Sequence, residues 1–225
     1  MARHISRQFD LELESIREQL LEMGGLVEEQ VRSACRALLT RDADLARQVR
    51  AEDAAVNAME IAIDEQCMQT IARRQPTAGD LRLLIAVIKS ITDLERIGDE
   101  ADRIARMAEE QAELDPVSGR QVDIRHLASL VGRMVSAALD AMARSDATAA
   151  NEVIDSDSAV DAEYRRITEQ LMAQMSEEPN LIRRNLNSIW AVRALERIGD
   201  HAKNIAEHTV YQIAGRDVRH RRRRA

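Results

Sequence analysis

A chain of 225 residues, 45% apolar, 32% charged and only 2% aromatic, can build a globular core and is too apolar to stay disordered. The net charge of −7 is unevenly spread: six arginines against one aspartate fill the last ten residues, leaving the first 215 at −12. That acidic body argues against a nucleic-acid surface, and no apolar run approaches the ~20 residues of a membrane span, so a soluble protein is expected.

Abundant Ala, Leu, Glu and Arg with four aromatics (Phe9, Tyr164, Trp190 and Tyr211) favour helices over strands. The first helix is expected over Ser6–Leu39, where Phe9, Leu13, Ile16, Leu20, Met23, Val27, Val31 and Ala34 recur at helical spacing. Gly24-Gly25 in its middle predicts a kink or a close helix–helix approach. Asp42 is placed to cap a second helix over 43–74, which Pro76 follows. A third, capped by Thr77 or Asp80, is expected to run to about Glu113. The stretch Leu114 to Gly119 is the clearest break. Beyond it a fourth helix is expected from Val122 to Arg144, a fifth from Thr148 to Met175, and a sixth from Leu181 to Ala214 ending on Gly215.

The second half repeats the first. Leu94-Glu95-Arg96-Ile97-Gly98-Asp99 returns as Leu195-Glu196-Arg197-Ile198-Gly199-Asp200, 101 positions later. Asp53-Ala54-Ala55-Val56-Asn57 aligns with Asp157-Ser158-Ala159-Val160-Asp161. The expected fold is therefore all-α: two tandem antiparallel three-helix bundles, over residues 1–114 and 121–215, with a linker at 115–120 and a basic tail at 216–225. Such a tail suits anionic lipid, nucleic acid or an acidic partner, and as a chain end it is expected to be a plain solubilising segment.

Each hexapeptide carries Glu-x-x-x-Asp, two like charges one helical turn apart, which repel and ask for an explanation. Measured from Glu95, Asp99 lies at about +40° and Asp102 at about −20°, apart from the stripe of Leu94, Ile97, Ala101 and Ile104. The turn near residue 77 sets Asp53 level with residue 101 and Asn57 level with residue 97, beside Glu95, Asp99 and Asp102. In the second half Asp157 and Asp161 fall opposite Glu196, Asp200 and Asn204. Oxygen donors gathered this way suit hard or borderline cations such as Mg²⁺, Mn²⁺ or iron. The alternatives are a carboxylate-bridged metal enzyme, and a plain helical scaffold whose acids form a solvated face neutralised by Arg96, Arg103 and Arg106.

Other chemistry has little support. His201 and His208 are near enough to Asp200 to join a site, whereas His4 and His126 read as surface residues. No Glu-x-x-His pair, phosphate-binding Gly-rich loop or Gly-x-Ser-x-Gly elbow occurs, so no catalytic residue is assigned. Cys35 and Cys67 have no metal-type spacing; buried packing roles in a reducing compartment are expected.

Two helical halves, each ending in Leu-Glu-Arg-Ile-Gly-Asp followed by Ala-x-x-Ile-Ala, resemble the PhoU family of phosphate-signalling proteins over about Phe9–Gly215. The resemblance implies a non-enzymatic cytoplasmic adaptor, often dimeric. Such an adaptor links the ATPase subunit of a phosphate ABC transporter to a phosphate-sensing histidine kinase. It thereby represses phosphate uptake and the phosphate-starvation regulon when phosphate is plentiful. Nucleic acid is not an expected partner, and membrane association is expected only through the protein partners. The resemblance further implies metal clusters (iron, zinc, manganese or magnesium) on Glu95 with Asp99 and on Glu196 with Asp200. Asp53/Asn57 and Asp157/Asp161 resemble the supporting acidic motif, with Asn57 lowering the charge of the first set.

Overall fold

The computed structural model describes residues 2–114, 122–216 and 218, with side chains described from Arg7 onward. Six α-helices account for the described fold: α1 (Ala2–Thr40), α2 (Ala43–Arg74), α3 (Ala78–Ala112), α4 (Arg125–Arg144), α5 (Ala147–Glu177) and α6 (Ile182–Ala214). The expected linker 115–120 lies outside the described residues, as do Asp217 and 219–225 of the tail. Val218, however, is buried against the core.

The helix ends follow local chemistry. Asp42 accepts from the amide of Leu45, and Asp146 accepts from those of Thr148 and Ala149, so the two halves use the same aspartate cap. The preceding residues, Arg41 and Ser145, take left-handed backbone (φ 57° and 51°), which ends α1 and α4 abruptly. Thr77 occupies the cap position of α3 without a side-chain bond, and Asp80 sits inside the first turn. The fourth helix starts at Arg125 rather than Val122, because Asp123 folds back to accept from the Arg125 amide at 2.9 Å. Pro179–Leu181 forms a short 3₁₀ turn ahead of α6.

Within each half the three helices pack on one another, and α3 against α6 and α1 against α4 join the halves; α2 and α5 touch only their own half. One continuous core results, in which Leu94, Ile97, Leu195 and Ile198 of the hexapeptides are completely buried. Gly24 is a close approach within an α1 that runs unbroken: a Cβ there would sit 2.6 Å from Leu139 Cδ2 of α4, while Gly25 faces open space. Gly25→Ala should therefore raise stability by about 0.5–1 kcal/mol in urea melts. At Gly24 the same change should lose that gain, since Leu139 must move.

Both cysteines are buried and free, and burial pushes each thiol up to about 12. They stay protonated and serve as packing.

Candidate functional site

Each half brings its acids into the seam between its second and third helices. In the first half, Asp53 on α2 accepts from Gln30 of α1 at 3.3 Å and from Asn57 Nδ2 at 3.2 Å. Gly98 makes the room: a Cβ there would lie 3.2 Å from Gln30 Oε1 and 3.4 Å from Asp53 Oδ1. Burial, then Asp99, then Glu60 and Asp53 raise Glu95 against the lowering effect of Arg96. Burial likewise raises Asp53, opposed by its Gln30 bond and reinforced by Asp99 and Asp102. The expected set Asp53, Asn57, Glu95, Asp99 and Asp102 is therefore one electrostatically coupled group. It is half-buried, not turned wholly to solvent, because α2 covers its flank.

Arginines trim this group. Arg96 pairs with Glu95 at 3.2 Å and with Asp99 at 3.0 Å. Asp102 is held by Arg50 of α2, which also reaches Glu109. Arg103, expected to neutralise the acids, instead pairs with Glu100.

The second seam couples Glu196, Asp200, Asp157 and Asp161. Burial, then Asp200, then Asp161 raise Glu196; burial, then Asp157, raise Asp200. Here a lysine intervenes: Lys203 Nζ lies 2.5 Å from Asp157 Oδ2. Gly199 approaches Val160 and Met134, so no polar pair fills the position that Gln30 and Asp53 occupy at Gly98.

One expected ligand falls elsewhere. Asn204 donates to Asp93 Oδ1 at 3.0 Å, across the boundary between halves, and does not join the second acid group. Asp93 also receives His201 Nδ1 at 2.8 Å and His208 Nε2 at 2.9 Å. Burial alone would raise this carboxyl, but the bonds from His201, His208 and Asn204 outweigh it and hold Asp93 at about 2. Seven residues on, Glu100 pairs with Arg197 of α6 at 2.7 Å and with Arg103 at 3.1 Å. Glu110–Asn187 and Gln111–Ser188 continue the ladder, so α3 and α6 run antiparallel. Sequence reasoning missed Asp93, Glu100, Gln30 and Lys203; only Glu60, level with Glu95 in the α2–α3 hairpin, was within reach of it. Among the described residues His126 acts only as a distant charge on Glu163, and the side chain of His4 lies outside them.

Against a metal ion, the donor chemistry of the first seam fits. Glu95 Oε2 and Asn57 Oδ1 are buried oxygens without a hydrogen-bond donor, the Arg96 contact to Glu95 lacking hydrogen-bond alignment. Among the described residues no three His, Cys, Asp or Glu side chains already converge as a coordination cage, so loading requires rotamer changes. The second seam fits less well while Lys203 holds Asp157.

For the raised carboxyls Asp53, Glu95, Glu196 and Asp200, the stabilising contribution is complete below the unfolded pKa and is lost as pH rises through the folded one. In metal-free buffer at neutral pH, Glu95→Gln should raise the urea midpoint. A lowered midpoint would show that the cluster is not self-repelling.

Comparisons with known proteins agree with this doubled architecture. The family model "PhoU domain" matches twice, at residues 20–108 and 124–209, once per half. The phosphate-specific transport system accessory protein PhoU homolog of Pseudomonas aeruginosa is 52% identical over 220 residues, covering 98% of this chain and 91% of that protein. The accessory protein PhoU of Escherichia coli K12 is 44% identical, covering 97% of this chain and 90% of its own length. The crystal structure of PhoU from P. aeruginosa superposes with TM-score 0.90 at 51% identity, covering 92% of this chain and all of that one. The phosphate transport system regulatory protein PhoU from Streptococcus pneumoniae superposes with TM-score 0.85 at 29% identity, over 93% of this chain and 99% of that one. With the family model matched in both halves and these relatives covered over about nine-tenths of their length, the chain belongs to the PhoU family.

Proposed function

We propose that the chain is a non-enzymatic, cytoplasmic accessory regulator of a phosphate transport system. In this reading it links the ATPase subunit of a phosphate ABC transporter to a phosphate-sensing histidine kinase. By doing so it represses uptake and the phosphate-starvation regulon when phosphate is plentiful. The observation that carries the reading is the PhoU domain matched once in each half, and the coupled carboxylate cluster in each half is the surface proposed to serve it. The names of the relatives, accessory and regulatory proteins of phosphate transport, support the biological assignment.

A divalent or transition cation (iron, zinc, manganese or magnesium) would be held by Glu95, Asp99, Asp53 and Asn57, with Asp102 nearby. Glu196, Asp200, Asp161 and Asp157 would form the weaker counterpart. Bound there, the ion supplies the positive charge that the carboxylates lack. The protein residues set their own geometry: Gln30 fixes Asp53, and Arg96 partly neutralises Glu95 and Asp99. Lys203 favours a second use for the second seam, as a docking face already part-neutralised without metal. Homodimerisation is supported by the exposed stripe of Ile182, Leu186 and Trp190 along α6, and sedimentation of the purified chain tests it.

The test is genetic and chemical. Deleting the gene should raise alkaline phosphatase and phosphate uptake in phosphate-rich medium; unchanged expression sinks the regulator reading. Complementation with Glu95→Ala plus Glu196→Ala should fail where the unaltered chain succeeds. Purified protein should take up Mn²⁺ at no more than two sites, and Glu95→Gln with Asp99→Asn should remove the first. Elemental analysis without metal, together with full repression by the double variant, removes the role given to these acids.

A further inference from the structure

Extending the two alignments of the repeat pairs Asp102 with Lys203, Arg50 with Ile154 and Gln30 with Met134. The packing agrees with this pairing, since Gly98 approaches Gln30 and Asp53 while Gly199 approaches Met134 and Val160. The two seams therefore share one layout. They differ in where the basic group stands.

In the first seam the cross-helix cation comes from α2 and sits at one end. Arg50 holds Asp102 at 3.1 Å and Glu109 at 3.2 Å, further along α3 than Glu95 and Asp99. Asp53 is held only by the neutral amides of Gln30 and Asn57. Its charge is left uncompensated by any ion pair among the described residues.

In the second seam the sign is exchanged. The position of Asp102 carries Lys203, whose Nζ lies 2.5 Å from Oδ2 of Asp157, the counterpart of Asp53. Lys203 follows Asp200 by three residues, which places both on one edge of α6, and both line one open recess. Val160 against Gly199 and Asp157 against Lys203 fix the register of α5 on α6. Asp161 is then level with about residue 198, between Glu196 and Asp200. An ammonium bonded to Asp157 takes up an oxygen that a metal ion would need, and its charge repels a divalent cation. The same exchange removes the carboxylate that the first seam has at this position.

We propose that Lys203 is the built-in counter-ion of the second seam and keeps divalent cations out of it, a role that rests on reading the acid seams as cation sites. The acid surface of the first half then changes charge with cation supply, whereas that of the second half carries its own cation at all times. A partner docking on the second seam meets the same surface with or without metal.

Titration of the full chain with Mn²⁺, free ion being read by electron paramagnetic resonance, tests this. The unaltered chain should bind one Mn²⁺, lost in Glu95→Gln with Asp99→Asn and kept in Glu196→Gln, with any second ion at least ~10-fold weaker. Lys203→Gln should gain a second ion of comparable affinity, whereas Lys203→Arg, which keeps the charge, should not. Two equal sites in the unaltered chain, no gain in Lys203→Gln, or an equal gain in Lys203→Arg would each overturn the proposal. Should Lys203→Gln not fold, the converse exchange decides. Asp102→Lys should weaken the first site at least ~10-fold relative to Asp102→Asn, and equal affinities would overturn the role given to the lysine. A first seam that stays empty while Lys203→Gln gains an ion removes the metal reading of the first seam and leaves Lys203 as the counter-ion of the second.

Discussion

Asp93→Ala is expected to lower the free energy of unfolding by about 3 kcal/mol, because it removes one partner of a buried polar network and strands the others. Asp93 is 9% exposed and His208 is 8% exposed, so the histidine left behind has little access to water. The neighbouring acid provides the contrast. Glu100 is 2% exposed, but its partners Arg103 and Arg197 have side chains 39% and 40% exposed and rehydrate when released. Glu100→Met should therefore cost less than Asp93→Ala, because the two arginines it releases recover water instead of staying as uncompensated buried charges. Urea melts of both variants check the pair. Equal losses would mean that water access to the surviving partners does not control the cost.

The same network sets an acid limit. The Asp93 carboxyl is depressed to about 2, so its stabilising contribution is complete above the unfolded value and is lost as pH falls through the folded one. Asp93→Ala should flatten stability between about pH 4 and pH 2 relative to the unaltered chain.

Ile97→Ala and Ile198→Ala should each cost about 3 kcal/mol, the transfer and cavity loss of a fully buried aliphatic side chain. Two residues away, Asp99→Asn relieves repulsion on Glu95 and Asp53 and should not destabilise. Within one hexapeptide, then, one residue is expected to hold the fold and its neighbour to strain it. Denaturant midpoints of the four proteins decide this. An Asp99→Asn variant as damaging as Ile97→Ala would make the acids structural. A coupled pair of isoleucines would appear as a double variant that departs from the sum of the singles.

Much of the fold was legible because it is local. Apolar residues at three- and four-residue intervals, the Asp42 cap and Gly215 are each read within a turn or two of chain. The acid seams were also legible, since a short turn between consecutive helices sets their relative level, and the coupling of Asp53 to Asp99 follows from it. Nothing local sets the level of α3 against α6, which are separated by more than 60 residues and are not joined by a hairpin. That register is chosen by the packing of two apolar stripes and by Asp93 and Glu100 finding donors on the other half. It gave Asn204, His201 and His208 to Asp93 of the other half. The sequence determined the helices, the repeat and the paired carboxylates by short-range geometry. Only the tertiary structure decided which polar groups the two halves share, because that depends on contacts between residues the chain itself holds far apart.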